Sequence, residues 1–486
     1  MSRKAADRPA VQPDRPVSRL DRFFEITARG STVATELRGG LVTFIAMAYI
    51  IVLNPIILSG TADVEGHQLG FAQVSAVTSL AAGVMTIAFA VIARLPFAFA
   101  AGLGINSFLA SSVVGSLTWP EAMGLVVING LIIVAMAASG VRKMVFDAVP
   151  MQLKLAITAG IGLFILFIGL VNAGFVGSTG SPSPPIGLGA HGAGSINSVP
   201  TVVFVVTLLV TGVLIARNVR GGILIGLVIG TVIAVVVESV LHLGPATEHP
   251  GGWALSVPAL SGSPLALPDL TLLGDVSFTG FGRIGVIAAL MLVFTLVFTN
   301  FFDAMGTFTG LSRQAGLADR DGNFPRLQSA LVVEGAGAVV GGLASASSNT
   351  VFVESGSGIG EGARTGLASI TTGLLFLAAM FLTPIAAIVP SEVAAAALVV
   401  VGAMMASHLR DINLSDFSVA LPVVLTVAVM PLSYSIANGI GVGFISWVVV
   451  RSAAGKAREI SPLLWLVAFG FLLFFVRGWI DSLLSG

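Results

Sequence analysis

Asp303 and Glu354 are the two residues of this chain best placed to do chemistry. Each carboxylate stands in or beside an apolar, glycine-rich stretch: NFFDAMGTFTG over 300–310 and SSNTVFVESGSGIGEGARTG over 347–366. A carboxylate within a bilayer costs several kcal/mol unless it faces a partner or a wet cavity, so its position marks a functional site by default. Two of them beside helix-breaking glycines point to a polar site built near the membrane midplane from interrupted elements. Such a site suits a small polar solute carried across the bilayer.

Composition sets the class. The chain of 486 residues is 55% hydrophobic and 10% charged, with a mean hydropathy of +0.99. A soluble domain carries about a quarter of its residues as charges. There are no cysteines, which removes disulfide, thiol and zinc-thiolate chemistry. Residues 1–35 are polar and arginine-rich and lack the short apolar core of a signal peptide, so they read as a cytoplasmic tail.

Apolar runs long enough to cross about 30 Å of hydrocarbon fall near 38–58, 71–93, 97–115, 121–140, 148–170, 199–216 and 219–242. A second set falls near 284–312, 327–345, 350–360, 364–386, 391–407, 416–430 and 432–451. The positive-inside rule agrees with fourteen crossings and a cytoplasmic amino terminus. Arg94, Arg142, Lys143, Arg217, Arg220, Arg313, Arg320, Arg326, Arg364, Arg410 and Arg451 then lie on one side, and the long loops 171–198 and 243–281 hold no Lys or Arg. Seven spans per set places the second set upside down relative to the first. The third member of each set is irregular: PFAFAAGLGINSFL (96–109) and SSNTVFVESGSGIG (347–360) put an extended run before a glycine-rich turn. The segment 461–482, carrying Arg477 and Asp481, reads as an interfacial or extra membrane piece, with the interfacial reading preferred because it preserves two halves of seven.

The chain resembles the adenine–guanine–hypoxanthine branch of the nucleobase–ascorbate transporter superfamily. The resemblance rests on RGSTVATELRGGLVTFIAMAYIIVLNPIIL (29–58), AGLGINSFL (101–109), FFDAMGTFTG (301–310), VESGSGIGEGARTGL (353–367) and PLSYSIANGIGVGFISWV (431–448), in order along the chain. It implies an all-α polytopic membrane protein of fourteen transmembrane segments in two inverted seven-span repeats, with short strands in the third and tenth segments. It further implies a first repeat over 36–242 (core 36–140, gate 148–242), an extracellular loop over 243–282, a second repeat over 283–452 (core 283–386, gate 391–452) and a C-terminal segment over 453–486. Proton-coupled purine uptake across the cell membrane and a homodimer are also implied.

On the residues themselves, Asp303 and Glu354 can each accept N–H groups of a purine through charge-assisted bonds. Either can carry a symported proton, and the resemblance matches both to the family's acidic substrate residues. Glu334, in ALVVEGAGAVV, is a third intramembrane acid, expected to hydrogen-bond in the core and support the tenth segment, with a coupling role as the alternative. Asn106 contacts either the base or serves as a helix N-cap. Phe99, Phe301, Phe302 and Phe352 are candidates for stacking, with Phe99 and Phe352 preferred because they flank the irregular segments. Thr307 bonds either solute or its own i−4 carbonyl. Asn54-Pro55 is expected to break the first span, and Asn438 stands where the resembled family often has an acid.

Other function classes fit less well. Two carboxylates repel an anion such as sulfate or bicarbonate; a transporter of the same fold for another solute, xanthine or uracil or such an anion, is the alternative. The histidines fall mostly in loops with no metal-ligand spacing, and no P-loop is present, so neither an enzyme, a metal site nor ATP-driven pumping is expected. No cofactor beyond the proton and no nucleic-acid partner is expected.

Overall fold

The computed structural model describes residues 18–140, 148–249, 251–259, 263–318 and 324–484; for His191, Phe302, Thr309 and 477–484 the description covers backbone only. The expectations for 1–17, for Arg142, Lys143 and Arg320, and for the side chains of Phe302, Arg477 and Asp481 lie outside it.

Fourteen membrane segments follow one another as two sets of seven. In the first set they are 33–59, Phe71–Ile92, 99–113, Trp119–Ser139, Met151–Asn172, Val199–Ala216 and Gly222–Leu241. The second set comprises Val286–Gln314, Leu327–Leu343, 349–360, 366–386, 391–411, Phe417–Leu432 and Ile436–Ala453. We number them spans 1 to 14. Polar caps fix several starts: Thr32, Ser198, Asp416 and Ser435 each accept a backbone N–H of the first turn, and Thr118 with Glu121 forms a capping box.

The third and tenth segments are half strand and half helix, as the sequence suggested. Strand β1 (Phe99–Ala101) pairs antiparallel with β2 (Asn349–Val351), Ala100 opposite Thr350. Span 2 ends at Ile92, and Arg94, at φ +54°, turns the chain towards β1 before Pro96. Ser345 and Ser347, at φ +53° and +68°, turn the chain out of span 9 before β2. Each strand then runs into a short helix, Leu103–Phe108 or Ser355–Gly360. A further small hairpin, Val176–Ser178 with Ile186–Leu188, lies in the loop after span 5. Its strands, three residues each with a glycine at the centre, are too short to show a period in the sequence.

Helices of the two halves interleave. Span 9 packs on span 4, span 11 on span 2, and the half-helix 355–360 on the start of span 1. Spans 12 and 13 pack on span 5, and span 12 also on span 6. Each of these two groups therefore takes members from both halves. Span 1 is interrupted at Ala48–Tyr49, where bonds from Ile51 N to Ala48 O and Val52 N to Tyr49 O tighten the turn. The interruption falls before, not at, Asn54-Pro55. Pro55 leaves the Ile51 carbonyl without its helical donor, and the Ser75 hydroxyl donates to that carbonyl at 3.1 Å, so helix 50–59 continues through the proline.

Charged contacts gather at the two ends of the spans. At one end Glu36 accepts from the backbone N–H of Arg364 and Thr365, Arg38 and Arg220 pair with Glu361, and Lys456 beside Asp416 holds that carboxyl well below the usual carboxylate range. At the other end Arg283 bridges Glu65 and Glu121. The C-terminal helix Pro462–Leu484 packs on spans 8 and 14 and buries Leu464, Ala468 and Phe471.

Span 4 crosses span 9 at a glycine pair. A Cβ on Gly130 would stand 2.5 Å from Val339 N, and one on Gly335 would stand 2.6 Å from Val134 N. Either Gly130→Ala or Gly335→Ala forces the backbones apart, and overpacking of this kind costs about 1–3 kcal/mol. Thermal unfolding of the purified protein in detergent will show a lower midpoint for each variant. Gly282→Ala, whose Cβ meets nothing, will leave it unchanged.

Candidate functional site

The site is built around the strand pair. Glu354 follows β2 as the N-terminal cap position of helix 355–360, and Asp303 projects from span 8, which packs against both β2 and that helix. Both carboxylates are half-buried and within electrostatic reach of each other. Asp303 is also within reach of Glu334 on span 9. Three intramembrane acids thus form one cluster, and among the described residues no Lys or Arg pairs with any of them.

Tyr49 completes the arrangement. Buried at the interruption of span 1, it donates its hydroxyl hydrogen to Glu354 Oε1 at 2.5 Å. The sequence reading missed it, although a signal existed: the chain has two tyrosines, and this one carries a hydroxyl in the middle of an apolar run.

Glu334 is fully buried, and its Oε2 accepts the backbone N–H of Val351 at 3.2 Å. It thereby supports the tenth segment, the first of the two roles its position suggested. Its Oε1 has no hydrogen-bond partner among the described residues. Asn106 is fully buried in the half-helix after β1 and donates to Asn54 Oδ1 at 2.6 Å. Asn54 in turn donates to Thr78 and to the Ala346 carbonyl. Asn106 is thus tied to span 1 and to the turn before β2, and its Oδ1 is unpartnered. Asn300, one turn before Asp303, donates to Ser348 at 3.0 Å and likewise leaves its oxygen unpartnered.

The aromatic candidates separate by face. Phe99 lies opposite Val351 in the ribbon and is sealed against Phe89, with ring centroids 4.8 Å apart. Phe352 is one residue further and so points to the other face of the ribbon, where it is buried. Thr307 is half-buried one turn beyond Asp303. Asn438 stands in the first turn of span 14, its N–H bonded to the Ser435 hydroxyl, on a different element from the acids.

Two inverted sets of seven spans enclosing an acidic, partly accessible centre define a membrane transport protein. The permease family profile matches residues 34–442, and this chain belongs to that family. It is 36% identical to a guanine/hypoxanthine permease of Bacillus subtilis, over 94% of this chain and 99% of the relative. It is 34% identical to an adenine permease of Escherichia coli, over 93% and 95%. Among solved structures it is similar to the transmembrane domain of a cyanobacterial bicarbonate transporter (TM-score 0.60, 17% identity, 83% of this chain and 97% of that one). It is also similar to the murine anion transporter Slc26a9 (TM-score 0.58, 11% identity, 93% and 77%). At these identities the solved structures speak for the fold, the same arrangement of two inverted sets of seven spans.

The bond from Val351 to Glu334 yields a test that separates support from chemistry. Glu334→Ala leaves a buried N–H unsatisfied, at a cost of about 1–3 kcal/mol. Glu334→Gln keeps a carbonyl acceptor. Unfolding midpoints are expected to fall for the alanine variant and to stay near the parent for the glutamine variant.

Proposed function

We propose that this protein takes up purine nucleobases by proton symport, with Asp303 and Glu354 accepting N–H groups of the base. The observation that carries this reading is the pairing of two half-buried carboxylates on elements that pack together, with no cation paired to either among the described residues. A purine offers N–H donors along one edge, and charge-assisted bonds to carboxylates recognise them more strongly than neutral acceptors do. The names of the guanine/hypoxanthine and adenine permeases among the relatives support the substrate class. Phe352 serves for stacking on the base in preference to Phe99, whose ring is already sealed by Phe89.

Proton coupling follows from charge. Asp303 lies within electrostatic reach of both Glu354 and Glu334, and neighbouring carboxylates in a medium that solvates ions poorly need compensation by protons. Asp303 and Glu354 are the accessible members and take that role; Glu334 is held by its strand contact. Transport proceeds by movement of the group formed by spans 1–4 and 8–11 against the group formed by spans 5–7 and 12–14, in a homodimer in the cell membrane with the amino terminus cytoplasmic. The grouping follows the interleaved packing of the two halves. The C-terminal helix, docked along spans 8 and 14, serves as an additional membrane segment. An anion substrate is the second reading, favoured by the solved structures with this fold and opposed by the acidic centre.

Uptake of radiolabelled hypoxanthine in cells lacking their own purine carriers tests this. Purines are expected to compete, uracil and sulfate are not, and a protonophore is expected to abolish accumulation. Asp303→Asn and Glu354→Gln each remove a charge-assisted bond of roughly 1.5–3 kcal/mol, so uptake should fall about tenfold to a hundredfold. Tyr49→Phe frees the Glu354 carboxylate to turn, and its effect should appear as a raised KM with Vmax nearly kept. Competition by sulfate, or full proton-driven uptake by both carboxamide variants, would refute the proposal.

A further inference from the structure

One cavity is lined by none of the three acids. It holds about 410 Å³ between span 4, span 8, span 14 and the C-terminal helix, and every residue lining it is apolar. Phe294, Val297, Phe298 and Phe301 form its wall along span 8, with Leu464 and Val467 opposite on the C-terminal helix.

We propose that this cavity is a binding site for one acyl tail of a membrane phospholipid. Water gains nothing there, because it needs two or more polar partners, and the walls offer none. The cavity is continuous with the bilayer-facing surface: Ile132 and Leu290 line it and are themselves 36% and 49% exposed, on flanks that also carry exposed Leu131 and Leu466. At its far end the Ser461 hydroxyl donates to the Ala148 carbonyl at 2.8 Å and joins the approach to the C-terminal helix to the start of span 5. A ligand therefore comes in sideways from the membrane.

Length fits the same occupant. From Leu290 to Phe301 the wall runs eleven residues, about 16 Å at 1.5 Å per residue. That is roughly half of a hydrocarbon core of about 30 Å, the depth one lipid tail reaches. The tail lies behind the acidic site: residues 294, 297, 298 and 301 recur at helical spacing on one face of span 8. Asp303 is two residues on, about 200° around the helix from Phe301. The two sites thus share one helix as a wall, lipid on one side and solute on the other.

The test uses the full-length protein in vesicles of phosphatidylcholine and phosphatidylglycerol, with a trace of phosphatidylcholine bearing a diazirine on its tail. After irradiation, adducts are mapped by mass spectrometry. Adducts are expected on 290–301 and 463–467, including the buried rings of Phe298 and Phe301. Val297→Trp, which fills the cavity, is expected to lose those adducts while the exposed faces of spans 6 and 7, at Leu209 and Val240, stay labelled. Ile132→Trp, at the exposed mouth and therefore tolerated by the fold, is expected to lose them too. Labelling confined to the outer faces would overturn the proposal, as would cavity adducts that survive both tryptophans. So would a cavity left unlabelled because a second copy of the chain covers it.

Discussion

A two-stranded ribbon inside hydrocarbon has two open edges, and each unsatisfied N–H there costs several kcal/mol. The rest of this structure depends on how those edges are closed. Thr86 closes β1, accepting from Phe99 N and donating to Phe99 O; Ser355 takes the N–H of Ala98; Glu334 takes that of Val351. Three helices are thereby tied to one ribbon: span 2, the half-helix after β2 and span 9. Because the ribbon joins the third and tenth segments, it is also the point where the two inverted halves meet. The interruption of both helices becomes tolerable only because polar side chains converge on it.

The acids divide between support and access. Glu334 is sealed and bonded to the strand, whereas Asp303 and Glu354 remain partly accessible, and Tyr49 reaches Glu354 from span 1. One ribbon and one tyrosine thus bring spans 1, 3, 8, 9 and 10 to bear on a single place. In our account, occupation of that place is felt by both halves at once. On the proposed reading, solute contact at Asp303 and Glu354 would reach span 1 through Tyr49 and span 8 through Asp303 itself.

Much of this was legible in the sequence because a membrane leaves few options. Apolar runs located the spans within a few residues, and two Gly-rich segments with preceding extended runs located the ribbon. Asp303, Glu334 and Glu354 stood out because charges within such runs are scarce. Three things were less legible. Span 1 is not broken at Pro55 because Ser75, distant in sequence, supplies the donor that the proline removed. Phe99 and Phe352 look equivalent as flanking aromatics, yet the ribbon pleat sends them to opposite faces. The Asn54–Asn106 bond joins residues fifty-two apart, which no local period encodes.

The most direct measurement is a structure of the protein determined with hypoxanthine bound. The account predicts the purine ring beside the ribbon, with N–H groups within hydrogen-bond distance of Asp303 and Glu354 and one face against Phe352. Hypoxanthine seated elsewhere, with Asp303 and Glu354 making no contact to it, would contradict it.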